Sequence, residues 1–331
     1  MPTRKLTSKA ITPAASTYVG KTGEIFFDTA TATLKLSDGA TAGGVAFGQS
    51  VGSVTLTNGA VIKDTAGDAV AFGQSAGLTS QGTNAVAIGK QAGETTQGNY
   101  SVAVGQQAGT NTQGASAVAV GYLAGTTSQG ASAVAIGLNT GSTGQGTYSV
   151  AIGSGAGHNG QGNNSVAIGL DTGLTSQGTN SVAIGKQAGE TSQGVNAVAI
   201  GLEAGKTTQG AESVAIGEGA GKTTQGAYSV AVGLQAGQTS QGSTAVALGY
   251  NAGLTSQGIS AVAIGYFAGY TNQATNSIIL NATGAQLNQT TANTFTVKPV
   301  RDGGSAAGMA AAGFRPTYYN PTTGEFVYSS S

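Results

Sequence analysis

Across residues 69–276 small, apolar and polar positions follow one another in a single unit that repeats without drift. Counting each unit from its valine, copies begin at Val70, Val86, Val102 and every sixteenth residue after that to Val262, 13 in all. Ile278-Ile279-Leu280 opens a degraded fourteenth, and Val45-Ala46-Phe47-Gly48 is an outlying copy ahead of the array. The unit is [Ser/Ala]-Val-Ala-[Ile/Val]-Gly-x-x-[Ala/Thr]-Gly-x-Thr-[Ser/Thr]-Gln-Gly-x-x, with Ala after every Val and Gln eleven places after it in every copy. Glycine fills its three fixed places in 38 of 39 chances, Ala274 being the exception. Three such residues per unit exclude a helix, in which each would cost about 1 kcal/mol against Ala. Val-Ala-Ile alternates with period two, as a strand does. A second short strand such as Leu174-Thr175-Ser176-Gln177 and Gly-bounded corners complete a turn. A fixed period then predicts stacked equivalent coils, an all-β parallel solenoid in which each coil pairs with the next about 4.8 Å away.

Parity divides the first strand into two faces. Valine and isoleucine share one, so Val86, Ile88, Val166, Ile168, Val182 and Ile184 are expected to fill the interior. The small face of Ala and Ser is then expected to pack against another copy of the chain. One coil would bury mainly a Val and an Ile while ordering sixteen residues, a poor return that also predicts an oligomer. The Gln column (Gln81, Gln97, Gln113, Gln177, Gln257) shares its parity with Thr, and the place before that Thr varies freely (Leu78, Glu94, His158, Lys206, Tyr270). Gln is therefore expected to face away from water and to form a structural ladder of stacked amides.

Four segments follow: an N-terminal β module over 1–44, a transition coil with an insertion over 45–68, the repeat over 69–284, and a C-terminal β cap over 285–331. Glu24–Asp28 with Thr33–Ser37 is expected to form a hairpin in the first, and Tyr318–Tyr328, with its Asn-Pro…Gly turn, another in the last.

Composition narrows the function. Of 331 residues 57 are Gly, only 8% are charged, net charge is zero, and there is no Cys, no Trp and one His. That excludes a disulfide framework and a thiolate metal site. The lack of a basic stripe argues against nucleic acid as a partner. No stretch approaches the roughly 18 apolar residues of a spanning helix, so membrane insertion is not expected. Met1–Ala10 has positive charge without an apolar segment behind it and makes a poor export signal. His158, Asp171 and Glu203 stand in variable columns with no fixed acid or base partner, and no Asp recurs as a calcium roll would require. No enzyme, metal or cofactor is expected.

Ser-Val-Ala-Ile-Gly at Ser149–Gly153, Ser165–Gly169, Ser181–Gly185 and Ser213–Gly217 resembles the head repeat of YadA-like trimeric autotransporter adhesins. The resemblance implies a homotrimer of left-handed parallel β-rolls over about residues 69–284. The family's unit is somewhat shorter, and its export signal, stalk and membrane anchor have no counterpart here, which points instead to a viral fibre. Residues 22–44 resemble the N-terminal segments of bacteriophage tail-fibre proteins, implying that this end docks on other virion proteins. The C-terminal tail is similar to the segment that precedes a self-cleaving chaperone domain in viral fibres, and the chain ends Ser329-Ser330-Ser331. It is therefore expected to be a processed product.

The function expected is that of a virion fibre or adhesin linking the particle to a glycan or protein receptor on a host surface, with no enzymatic role. Tyr122, Tyr250, Tyr266, Phe267 and Tyr270 are the candidate receptor contacts, because exposed aromatic faces stack on sugars and anchor interfaces. A purely structural capsid or tail decoration is the alternative. An ice-binding solenoid using Thr79, Thr95 and Thr127 is disfavoured because adjacent Thr and Ser should point oppositely. A secreted matrix fibre is disfavoured by the poor export signal.

Overall fold

The computed structural model describes residues 68–300 continuously and 317–328, with short stretches before residue 68 (10–11, 21–22, 25–28, 33–37, 39–40, 45–46, 54–55 and 61–65). The repeat is a parallel β-solenoid with one unit per coil. In a typical coil Val182–Ile184 forms one wall and Ser192–Gln193 the other. Each residue pairs with its equivalent one coil on: Val182 with Val198, Ala183 with Ala199, Ile184 with Ile200, Ser192 with Thr208 and Gln193 with Gln209. The first wall is a ladder from Ala69–Phe72 to Phe295–Lys298, and the second is 11-stranded, from Thr96–Gln97 to Thr255–Gln257. The corners join the ladder too, Gly189 N donating to Ala204 O at 2.9 Å and Gly194 N to Gln209 O at 2.9 Å. Backbone polar groups of each coil are thus satisfied by its neighbours.

Parity assigns the two faces correctly but their sense is reversed. Ala87, Ala103, Ala167 and Ala183 are fully buried, as are Ser165 and Ser181. Ile88 is 39% exposed and Ile168 and Ile184 are each 36% exposed, while Val86, Val166 and Val182 are half-buried. The six residues expected inside therefore lie on the outer surface of the first wall, and the small residues fill the roll. Wall spacing is the reason. A Cβ added to Gly157 on one side would stand 3.2 Å from the Cβ of Ala151 on the other. Such a gap takes a methyl group and excludes a branched side chain.

Within the regular coils the long side chain inside is Gln. Gln193 crosses the roll, its Nε2 donating to Val182 O at 2.8 Å in the same coil. Lengthwise contacts occur as well, as from Gln129 Nε2 to Gln145 Oε1 at 3.1 Å, but the crossing bond recurs in every coil from Gln81 to Gln273. The column is chiefly a set of struts between the walls.

Thr and Gln do not share a face. Ser176, between Thr175 and Gln177, has φ of +54°, and this left-handed residue breaks the two-residue period. Thr175 and Ser176 both point outward and Gln177 inward. The parity objection to a flat hydroxyl surface accordingly fails. At the next corner Gly178 has no positive φ, yet a Cβ there would lie 2.5 Å from the carbonyl carbon of Gly194 in the following coil. Glycine serves close stacking of coils at this corner.

At the N-terminal edge Val61–Thr65 pairs antiparallel with Ala69–Phe72, setting Asp64 against Val70. Val45–Ala46 does not stack as a coil; it pairs antiparallel with Lys35 and Leu36 of Thr33–Leu36, which pairs in turn with Ile25–Asp28. At the other end fully buried Ile279 replaces the usual Ala and packs with Leu287, filling the interior where the glycine corners stop. Thr317–Tyr319 and Phe326–Tyr328 form an antiparallel pair beyond it.

Candidate interaction surfaces

The outer surface of the first wall carries an apolar strip. Val and Ile repeat at every coil in register, and Val70, Phe72, Ile88, Ile136, Ile152, Ile216, Leu248, Ile264 and Ile278 are all exposed there. Large contiguous apolar patches are uncommon on the surfaces of solitary soluble proteins.

In-register stacking also builds an aromatic cluster. Tyr250 and Tyr266 occupy equivalent places in adjacent coils, so their rings stack with centroids 5.2 Å apart and an interplanar angle of 12°. Phe267 sets its edge against both, 4.3 Å from Tyr266 and 5.4 Å from Tyr250, and Tyr270 lies 4.9 Å from Phe267. Four of the five aromatic candidates thus meet in one patch. Tyr122 does not: it is 46% exposed and stands eight coils before Tyr250, about 38 Å away at 4.8 Å per coil. The sequence reading passed over Tyr100, Tyr148 and Tyr228, which project from one recurrent turn and are 62%, 66% and 60% exposed. Their common place in the unit was the available signal.

An ionic cluster was also missed. Glu203 binds Lys206 Nζ at 2.8 Å and Lys222 Nζ at 2.6 Å, and Lys206 reaches Glu190 at 3.4 Å. The hydrogen bonds from Lys206 and then Lys222 lower the Glu203 carboxyl pKa to about 2, and the bond to Glu203 raises that of Lys206. All four sit in columns that vary between copies, but their spacings of three and sixteen residues give contact within a coil and between coils.

The Gln residues are placed alike. Gln81, Gln97, Gln113, Gln177 and Gln257 each donate Nε2 to the valine carbonyl eleven residues earlier, at 2.8–2.9 Å. Gln257 also donates to Gln273 Oε1 at 3.1 Å. Among the described residues no group of three or more His, Asp or Glu side chains could hold a metal ion, and no helix is long and apolar enough to cross a membrane.

Comparison with known families agrees with the coil architecture. The model of the YadA head domain repeat matches residues 80–108, 97–124 and 176–204. The chain carries a YadA-head-like repeat domain. No curated protein matches the chain. Over the matched stretches the similarity is to a structural head repeat.

Proposed function

We propose that this chain is a subunit of a homotrimeric fibre of a virion, an adhesin that joins the particle to a host-surface receptor. The observation that carries the reading is the exposed Val/Ile strip on the first wall. Three copies that bring these strips together remove them from water, and a closed trimer leaves no strip unpaired. The small face cannot fill this role, since its Ala and Ser side chains are buried inside the roll.

The N-terminal residues 1–44 attach to other virion proteins in this reading, supported by their likeness to tail-fibre segments. Receptor contact falls to the C-terminal coils, where Tyr250, Tyr266, Phe267 and Tyr270 gather. Light scattering on unheated protein tests the assembly. A mass of about 96 kDa, three times the 31.9 kDa chain, is expected. A stable 31.9 kDa monomer would sink the fibre reading and leave the apolar strip without a partner.

A further inference from the structure

The end of the solenoid and the hairpin beyond it enclose a groove of about 770 Å³, lined chiefly by Asn276, Asn293, Thr294, Phe295, Tyr319 and Phe326. That volume falls within the range of small-ligand sites. We propose that the groove binds a neutral saccharide. The inference rests on the receptor-binding reading above, gives it a ligand class and adds a second place of contact beyond the Tyr250 cluster.

The apolar side of the groove is three rings beside Ile278, the last residue of the outer strip. Phe295, Tyr319 and Phe326 are 52%, 57% and 62% exposed. Phe326 is central, 6.1 Å from Phe295 at 53° and 5.2 Å from Tyr319 at 44°. Tilted in this way, the rings leave faces open to the C–H surface of a pyranose. In the Tyr250 patch, by contrast, Tyr250 and Tyr266 are stacked, so each covers one face of the other.

The polar side is an amide pair. Asn276 Nδ2 donates to Asn293 Oδ1 at 3.3 Å. Among the described residues this leaves Asn276 Oδ1 to accept and Asn293 Nδ2 to donate, the combination that two neighbouring sugar hydroxyls require. Thr294 Oγ1 donates to Thr291 O at 2.8 Å and keeps its own lone pairs as acceptors. Both Asn residues are held in left-handed turns, with φ of 56° and 58°, and their backbone amides are bound to the preceding coil. None of the eight lining residues carries a formal charge at neutral pH, which favours a neutral sugar over an acidic one.

Saturation-transfer NMR and calorimetry on the full chain test this. The probes are mono- and disaccharides of glucose, galactose, mannose and N-acetylglucosamine, with uronic and sialic acids alongside. An uncharged member is expected to bind, and Phe326→Ala and Asn276→Gly should each weaken it by about tenfold or more. Asn276→Gly suits the left-handed backbone and lies in the solenoid, so it keeps the test alive if Phe326→Ala disrupts the hairpin. Phe326→Trp should retain binding, and the Tyr250→Ala/Tyr266→Ala double variant is measured alongside. Binding lost in the tyrosine variant and kept in Phe326→Ala would overturn the groove while leaving the receptor reading intact. Binding of acidic sugars alone, or of none of the probes, would also overturn the groove, whatever mass the assembly shows. A fall in solution mass in Phe326→Ala would assign the groove to a second copy of the chain and likewise overturn the proposal.

Discussion

The side-chain carbonyl oxygen of Gln97 lies 2.6 Å from the point a Cβ on Gly93 would occupy, and Gly93 has φ of +53°. The two residues form one device. Glycine turns the corner and leaves a space, and Gln uses that space to cross the roll to Val86 O at 2.8 Å. The same relation recurs between Gly125 and Gln129 and between Gly253 and Gln257, which is why both residue types hold fixed places in the unit.

Gly93→Ala should destabilise the array by at least about 1–2 kcal/mol, from the left-handed backbone alone. Gln97→Ala should cost about 1–3 kcal/mol, since a buried hydrogen-bonded strut is removed. The double variant should cost less than the two single changes together, because the clash disappears with the amide. Hydrogen exchange over coils 86–113 would show this locally; strictly additive losses would mean that the two residues act independently.

Enlarging the interior should hurt more than trimming the exterior. Ala183→Val forces two extra methyl groups between the walls and is expected to cost about 1–3 kcal/mol. Ile184→Thr, on the outer surface, should leave the unfolding of an isolated solenoid nearly unchanged. Denaturant midpoints under dissociating conditions provide the comparison, and the reverse ranking would contradict the inward placement of alanine.

Charges set into the outer strip should act on assembly rather than on the fold. Ile168→Asp/Ile184→Asp is expected to shift the solution mass toward 31.9 kDa while the far-ultraviolet circular dichroism stays that of a β-solenoid. An unchanged mass would place the contact between copies on another surface.

The ionic cluster gives a pH dependence with a defined sign. Folding lowers the Glu203 pKa from 4.5 to about 2. Its stabilisation is therefore present above about pH 4.5 and is lost as the pH falls toward 2. Lys206, whose pKa is raised, contributes below its unfolded value of 10.5 and loses that contribution at higher pH. The side chains are partly exposed and screened by water, so the effect is at most about 1 kcal/mol. Glu203→Gln should match the wild type at pH 2 and fall slightly below it at pH 7, and a gap that persists at pH 2 would assign the effect to packing.

Period, coil, parallel register and the burial of Gln were all legible in the sequence, since each follows from a residue type held at a fixed place. The sense of the two faces was not. Alternation separates Val182 and Ile184 from Ala183 but is silent on which side is the interior, and that is settled by the spacing of the walls. The outward pair Thr175 and Ser176 was hidden for another reason: a single left-handed residue shifts the period, and Ser does not advertise positive φ as Gly does. The Tyr250–Tyr266 stack could be inferred from their sixteen-residue separation. The groove at Phe295 and Phe326 could not, because its parts are joined only by tertiary contact.

Strict equivalence between neighbouring coils has a consequence for how such a molecule changes over time. Val182 meets Val198 as Val198 meets Val214, so excising or duplicating a whole unit rejoins the same partners along the Val-Ala-Ile ladder. Length can therefore grow or shrink in single steps of about 4.8 Å, with the two dissimilar ends carried along intact. The spacing of the ends is thus quantised in whole coils, each added or lost without a change of partner type along the ladder.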